Sequence, residues 1–493
     1  MITLHNNNTN LTTINNLNPN SIIPDTLDQS RGAIHFIGIG GIGMSGLAKI
    51  MLALGFNITG SDKAANSFIL ELENLGAKIF IGHNSNNISN QQLAVVSTAI
   101  TSDNPELGQV QQLKIPVWHR SKLLNHLSKN KNLIGVSGTH GKTTTTGMIS
   151  KILLDAQKDP SIIIGGYLSD IKSNARHGNS NYFVAEIDES DKSHIDQQSY
   201  ISVITNLEAD HLENYPGGIE DIYTAMLQFA NNSQNATVLC TDNQGCVNII
   251  KRLQKPVITY GYETNSFSPD FYFKNINLGS IEVFHKNNLL GELNLKIPGH
   301  HNKLNALAAI AVCQHLDISF AEIKKALADF SGVGRRFEIK GHSHNVLVVD
   351  DYAHHPTEVK STIEAAYEFM EYSNQHLSNI HPRLDRLVII FQPHQPKRLQ
   401  DLFSEFCECF ARANLALIAD VYIARGKSIP NVNSANLVGA MEHKNAFYLP
   451  GDLNNLKTSA LDYIRPHDLV ITMGAGDITN LGEKLLQSLN QAN

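Results

Sequence analysis

Two glycine-rich loops, each directly after a short apolar run and directly before a helical pattern, set the kind of fold this chain can adopt. The first, Gly38-Ile39-Gly40-Gly41-Ile42-Gly43, follows the run 34–37. The second, Gly138-Thr139-His140-Gly141-Lys142-Thr143-Thr144, follows the run 133–136. A strand, a tight glycine turn and a helix start, in that order, make up the unit of a parallel sheet whose helix N-terminus holds phosphate. Two such units imply that two phosphate-bearing molecules are held at once, and so that a group passes between them.

Short β-branched runs alternate with helical patterns along almost the whole chain, the mark of α/β units and mostly parallel sheets. A first group has runs at 34–37, 58–60 and 93–97. A second has runs at 133–136, 182–187, 201–205 and 236–240, then helices over 303–315 and 320–330. After Gly332-Val333-Gly334, a third has runs at 346–349, 386–391, 415–419 and 469–473. With 493 residues the chain is long for one core, so three α/β domains are expected, at 32–130, 131–333 and 334–493, behind a tail over 1–31. Polar residues gather beyond strand ends, where such sheets hold ligands: Asp350-Asp351, Gln392 to His394, Asp420 and Gly474 to Asp477.

Composition removes several classes of function. The net charge is −7, and no basic run is long enough for nucleic acid or an anionic membrane. Five scattered cysteines (Cys240, Cys246, Cys313, Cys407, Cys409) form no CxxC pair, which argues against disulfides and structural zinc and for the reducing cytoplasm. The Asn-rich stretch 1–30 has no basic start or apolar core, so it reads as a disordered tail and not as a secretory signal. The apolar stretch 34–56 is long enough to span a membrane, but its glycines and interior Lys49 fit strand, loop and helix instead. Monomer and homodimer both remain open.

In the second loop, Gly138 and Gly141 let the backbone N–H groups of 138–144 turn toward phosphate oxygens. Lys142 can reach the outer phosphates and the Thr143 hydroxyl can ligate Mg²⁺. Val136 stands where the general P-loop has its first glycine, so this is a shorter variant. Hard Mg²⁺ needs further donors, and Glu186 and His211, in the segments 186–191 and 206–211 at the next strand ends, are the candidates.

The run Gly138 to Thr146, with 186–191 and 205–211, resembles the Mur ligase family of ATP-dependent amide-forming enzymes; the likeness extends from about Gly32 to the C-terminus. It implies a Rossmann-like UDP-binding domain, a central P-loop ATPase-type domain with a mostly parallel sheet, and a C-terminal Rossmann-like amino-acid-binding domain. By resemblance, Gly138, Thr139, His140, Gly141, Lys142, Thr143 and Thr144 bind ATP, and Thr143, Glu186 and His211 serve Mg²⁺. Asn305 reads adenine, Asp351 the ribose, and the Arg335-Arg336 pair the terminal phosphate, with Arg336 joining Lys142, Glu186 and His211 as catalytic. No lysine lies between Leu212 and Ile250, so the carbamylated lysine of several members is not expected.

Gly38, Gly40 and Gly43, with Asp62 at the next strand end, also meet the dinucleotide fingerprint, so an NAD-dependent oxidoreductase is the naive reading. The fuller run His35 to Gly46 resembles a branch of the family in which this loop holds the UDP of UDP-N-acetylmuramate. Gly38, Gly40, Gly41, Gly43, Asp62, Ser97 and Thr98 are then the nucleotide-sugar contacts. Two kinds of ligase share the run: one adds L-alanine to the lactyl carboxylate of UDP-N-acetylmuramate, the other a preformed murein tripeptide. Phe391-Gln392-Pro393-His394 and Asp188-Glu189-Ser190-Asp191 resemble the alanine-adding kind, which serves cell-wall synthesis. Gln395 stands where many of these have arginine, so the alanine carboxylate falls to Arg398, with His355 and His394 nearby. Arg425-Gly426 is a further departure from the family pattern. The activity implied is ATP-dependent amide formation through an acyl phosphate.

Overall fold

The computed structural model describes residues 27–262, 268–277, 279–424 and 427–491. The expected tail falls mostly outside them, as does Arg425-Gly426. The last residues of that tail are docked: the Gln92 side chain donates to the Asp28 and Gly32 carbonyls, at 2.8 and 2.6 Å.

The first sheet holds β1 (Ile34–Ile37), β2 (Ile58–Asp62), β3 (Lys78–Ile81), β4 (Leu93–Val96) and β5 (Val117–His119), all parallel, in the order β3-β2-β1-β4-β5. Strand order reverses between β1 and β4, so their carboxyl ends open the crevice in which such sheets take ligands. Gly38 and Ser97 sit there.

The second sheet holds β6 (Asn132–Ser137), β7 (Ser161–Leu168), β8 (Ser173–Arg176), β9 (Tyr182–Glu186), β10 (Ile201–Ile204), β11 (Ala236–Cys240), β12 (Val257–Gly261), β13 (Phe271–Asn277), β14 (Ser280–His285) and β15 (Asn288–Asn294). Their order is β15-β14-β13-β12-β11-β10-β6-β9-β7-β8. The run from β12 to β7 is parallel and only β8 turns antiparallel onto β7, which makes this part of the sheet mostly parallel, as expected.

The third sheet holds β16 (Glu338–Ser343), β17 (Val346–Asp351), β18 (Arg386–Phe391), β19 (Leu415–Ala419), β20 (Ala446–Leu449) and β21 (Asp468–Met473), in the order β16-β17-β21-β18-β19-β20. Only β16 is antiparallel. Its apolar runs are continuous because both faces are buried. Leu347, Val349, Leu387, Ile389, Leu469 and Ile471 pack into one core, while Val346, Val348, Val388, Ile390 and Val470 pack into another on the opposite face. Each such side chain contributes about 1.5–3 kcal/mol on burial.

By compactness the chain divides into two units. One runs to Tyr272 and adds Phe284–Asn288 and Leu307–Ala326; the other comprises Phe273–Val283, Leu289–Ala306 and Leu327–Asn493. No helix among the described residues is long and apolar enough to cross a membrane.

Beneath the first loop lies a buried carboxylate. Glu106 is fully enclosed and accepts from the Ser61 hydroxyl (2.6 Å) and the Asn87 amide (2.6 Å), with the His83 ring at 2.9 Å and the His35 ring at 3.7 Å. Burial alone would raise its pKa, but hydrogen bonds from His35, Ser61, Asn87 and His83 prevail and bring it down to about 2. A depressed acid stabilises the fold above its unfolded pKa, and that contribution fades as pH falls toward the folded value. Glu106→Ala should therefore lower stability at neutral pH by about 2 kcal/mol through unsatisfied partners. Urea unfolding checks this, and the gap from wild type should narrow from about pH 4.5 down to about pH 2.

Candidate functional site

The second loop curls because Gly138 (φ 127°) and Gly141 (φ 81°) take left-handed conformations that a Cβ would strain. A Cβ on Gly138 would also meet Thr205 Oγ1 at 2.4 Å. The loop is tied to the end of β10. The Asn206 carbonyl accepts from Thr139 N–H (3.0 Å), the Asn206 Oδ1 accepts from His140 N–H (2.8 Å), and its amide donates back to the His140 carbonyl (2.9 Å). The Thr139 hydroxyl accepts from Glu208 N–H at 2.9 Å. The helix Lys142–Asp155 starts at Gly141 with no side-chain cap, so its first N–H groups and its dipole are available to an anion.

Lys142 Nζ donates to the Gly138 carbonyl (2.6 Å), the Thr139 carbonyl (3.0 Å) and Glu189 Oε1 (3.0 Å), and lies 2.9 Å from Glu189 Oε2. Burial pulls this ammonium's pKa down, but Glu189, Glu186 and Asp188 together outweigh burial and hold it raised. The Glu189 carboxyl is pushed up to about 6, first by burial and also by Asp188, against the pull of Lys142 and His211. The lysine is thus kept charged and parked where phosphates would arrive.

Glu186 ends β9, in register with Val136 of β6. One of its oxygens accepts from the Thr143 hydroxyl (2.8 Å) and from Gly165 N–H (2.9 Å). A Cβ on Gly165 would stand 2.5 Å from that oxygen, so only glycine lets β7 approach so closely. Thr143 and Glu186, expected as metal ligands, are brought together as a pair of hard oxygen donors, which suits Mg²⁺. His211 reaches the area by another route. It has a left-handed backbone (φ 53°), its ring lies 3.6 Å from Asp210 and 3.7 Å from Glu213, and its charge acts on Glu189.

At the first loop, Gly38 has φ 82°, and Gly38 and Ile39 N–H groups donate to the Ser61 carbonyl. Asp62 accepts from Gly40 N–H (2.9 Å), and Asn66 donates to the Gly40 carbonyl (3.0 Å). Asp62, expected as a ligand contact, thus also shapes the loop itself. Gly41 precedes the helix Ile42–Ala53 without a side-chain cap. Ser97 and Thr98 follow β4, whose Val96 pairs with Ile37.

Arg120 escaped the sequence reading. Its Nη2 donates to Asp188 (2.5 Å) and Asp191 (3.2 Å), and its Nη1 would lie 3.2 Å from a Cβ on Gly43. The guanidinium holds Asp188 well below the usual carboxylate range despite burial. A small cleft is lined by Gly43, Arg120, Ile163, Glu186 and Asp188 among others, so it opens from the first loop onto Glu186.

In the second unit the two adjacent arginines differ. Arg335, at φ 62°, is tied to Asp350 (3.3 Å) and to the carbonyls of Gly474 (2.6 Å) and Gly476 (3.3 Å). Arg336 is 3.9 Å from Glu358, and both guanidinium groups stand about 5 Å from the Tyr352 ring, at 4.8 and 4.9 Å. Asp351 is buried and its pKa is pushed up to about 6 by burial; its oxygens accept from Phe337 N–H (2.8 Å), Ala353 N–H (2.8 Å) and the Thr362 hydroxyl (3.2 Å). The expected ribose contact is therefore also a structural knot. Asn305 lies buried on the helix His300–His315 and donates to Asn302 at 3.2 Å.

His355 caps the helix Pro356–His376, reciprocally with Glu358. His394 stacks on Tyr422 (5.8 Å), stands 5.8 Å from the His354 ring, and has its Nδ1 3.4 Å from Arg398. Burial, with Arg398 and His394 nearby, drives the His354 pKa down to about 3, so that ring is neutral. His394 and Arg398 are thus brought together, and His354 and Tyr422 join them unforeseen. Gln395 has φ 72° and gives its N–H to the Tyr422 carbonyl.

Comparison with known proteins gives three family matches: the Mur ligase catalytic domain over residues 33–132, the Mur ligase middle domain over 136–313, and the Mur ligase glutamate ligase domain over 335–476. The chain is 41% identical over 465 residues to UDP-N-acetylmuramate–L-alanine ligase of Geotalea uraniireducens, covering 92% of this chain and 98% of that one. It is 42% identical over 471 residues to the ligase of the same name from Desulforamulus reducens, covering 93% and 98%. Among solved structures, UDP-N-acetylmuramate-alanine ligase MurC from Thermotoga maritima aligns with a TM-score of 0.79 at 27% identity, over 94% of this chain and 100% of that one. A murein peptide ligase from Psychrobacter arcticus shares the fold, with a TM-score of 0.69 at 22% identity, over 94% and 99%.

Asn206→Ala should remove the ties that hold 139–140 and weaken nucleotide binding by roughly 10-fold or more, about the worth of one or two buried hydrogen bonds. Titration with a fluorescent ATP analogue reads the change; unaltered affinity would mean that the loop holds its shape without Asn206.

Proposed function

The chain belongs to the Mur ligase family, and we propose that it joins L-alanine to the lactyl carboxylate of UDP-N-acetylmuramate with cleavage of ATP, in the making of peptidoglycan precursors. The observation that carries this reading is near-full-length identity of 41% to an alanine-adding relative. The murein peptide ligase at 22% identity supports the shared fold and does not favour the tripeptide reaction. Domain limits of 32–130, 131–333 and 334–493 go with this reading.

A carboxylate is a poor electrophile, so it must first take the γ-phosphoryl of ATP, giving an acyl phosphate and ADP. The alanine amine then attacks the acyl carbon and phosphate leaves. Loop 138–144 cradles the ATP phosphates with its N–H groups, and Lys142 shifts from Glu189 and the loop carbonyls to the outer phosphates, where its charge is worth most in the transition state. Thr143, Glu186 and His211 would hold Mg²⁺, which would supply further neutralisation of negative charge. Loop 38–43 anchors the UDP end of the acceptor, so the cleft beyond Gly43 leads its carboxylate toward Glu186. This placement supports a nucleotide sugar over NAD, which would leave Lys142, Glu186 and His211 without work.

By resemblance to the family, Asn305 and Asp351 serve the nucleoside and Arg336 the terminal phosphate. Arg335, bound to Asp350 and Gly474, shapes the segment that presents its neighbour. His355, His394 and Arg398 receive the alanine, with Arg398 as partner of its carboxylate.

Two outcomes follow. Phosphate release should require UDP-N-acetylmuramate, Mg²⁺ and L-alanine together; turnover with murein tripeptide but not L-alanine would overturn the alanine assignment. Lys142→Ala should cut kcat by about 1,000-fold, while Arg398→Ala should raise the KM for L-alanine by about 10-fold or more with little change in the KM for ATP. Initial-rate kinetics over both substrates separates the two.

A further inference from the structure

The β7–β8 hairpin touches both ligand loops. On β7, Gly165 N–H holds the Glu186 oxygen that also takes the Thr143 hydroxyl of the second loop. On β8, the Asn174 amide donates to the Ile42 carbonyl (2.7 Å) and lies 3.1 Å from Ser45 Oγ, in the first turn of the helix that begins at the first loop. The rung between these grips, Ile163 paired with Ala175, meets that helix at Gly46, where a Cβ would stand 3.1 Å from Ile163 and 3.6 Å from Ala175. Lys49, one turn further on, is buried. It donates to Asn174 Oδ1 (2.6 Å) and Ser173 (3.0 Å) and pairs with Glu71 (2.5 Å), which in turn accepts from Ser173 (2.6 Å).

Apolar packing would join these elements more simply. Burying an ammonium is costly, and an apolar side chain of similar size would hold two surfaces together as well or better. What the polar cluster adds is geometry: Lys49 fixes the rotamer and the flip of Asn174, and Asn174 fixes the helix turn whose N–H groups face the acceptor's diphosphate. We infer that the β7–β8 hairpin is a strut setting the acceptor loop at a fixed distance from the ATP loop, with Asn174 and Lys49 as positioning residues for phosphoryl transfer. This rests on the ligase reading above, since it assigns the two loops to the two reactants. Neither residue touches ATP or the sugar; they act through the helix 42–53.

The test compares wild type with Asn174→Asp and Lys49→Met in the full-length chain. Asn174→Asp keeps an acceptor for Lys49 and replaces the donation to Ile42 and Ser45 by a carboxylate oxygen that repels the Ile42 carbonyl, so it is aimed at the grip on the helix. Binding of ATP alone and of UDP-N-acetylmuramate alone should stay within about 3-fold of wild type, while kcat for alanine-dependent phosphate release falls by about 100-fold, as for a reacting atom displaced by about 1 Å. The fraction of phosphate released without amide formation should rise. Unchanged kcat and coupling in both variants, with only a lower melting temperature, would reduce the cluster to a structural latch and overturn the strut. A loss of kcat matched by loss of sugar affinity would overturn it too. A readout that needs no turnover separates this from the ligase reading. Spin labels at Leu75→Cys and Lys158→Cys, in a Cys407→Ser background, should give a narrow distance distribution in the parent and a broad one in either variant. Failure of wild type to use L-alanine would sink the ligase reading alone, whereas identical narrow distributions would sink the strut.

Discussion

Parallel pairing of β6 with its neighbours β9 and β10 is the constraint on which the ATP side of the site rests. Because the three strands run the same way in register, Val136 with Glu186 and Ser137 with Ile204, their carboxyl ends arrive at one level. The loop after β6, the carboxylate that ends β9 and the Thr205-Asn206 pair after β10 therefore meet without any long-range search. The side chains then turn proximity into shape. Glu186 ties Thr143 to Gly165, and Asn206 ties the loop's carbonyls and N–H groups to β10. A slip of one residue in the pairing of β6 with β9 would send Glu186 to the other face of the sheet.

Strands buried on both faces were legible in the sequence. The runs 34–37, 236–240, 386–391 and 415–419 coincide with β1, β11, β18 and β19 because a run apolar on both faces has few other ways to be buried. Several strands escaped. β3 reads Lys-Ile-Phe-Ile with Lys78 and Ile81 exposed, and β15 carries Asn and Glu along a partly solvated face, so apolarity does not mark them; the buried interior strand β7 escaped as well. The site shows the same division. Lys142, Thr143 and Glu186 could be found because loop chemistry and strand ends point to them. Arg120, Glu189 and Tyr422 could not, since each earns its place through a partner distant in sequence: Arg120 through Asp188, Glu189 through Lys142, Tyr422 through His394.

Charge is balanced pairwise behind the second loop. Lys142 would be costly to bury alone, and so would Glu189; together they satisfy each other. Burial and Asp188 still push the Glu189 carboxyl up to about 6 against the pull of Lys142. Asp188 is served differently, with Arg120 holding it well below the usual carboxylate range. Two neighbouring carboxylates are thus shifted in opposite directions.

The adjacent arginines make the same point in the second unit. In sequence Arg335 and Arg336 are equivalent, and either could be the cation that meets a terminal phosphate. The fold distinguishes them by backbone: a left-handed turn at Arg335 sends its side chain onto Asp350 and the carbonyls of Gly474 and Gly476, which take donations from its Nε and Nη2. Arg336 has a long contact to Glu358 and the face of Tyr352, and its charge acts on Asp351. A residue that must bind and release phosphate each cycle needs weak resting partners, and a residue that must aim it needs strong ones. Two identical side chains adjacent in sequence are thus held in different ways, one by hydrogen bonds to the strand ends and the other by a long ion pair and an aromatic face.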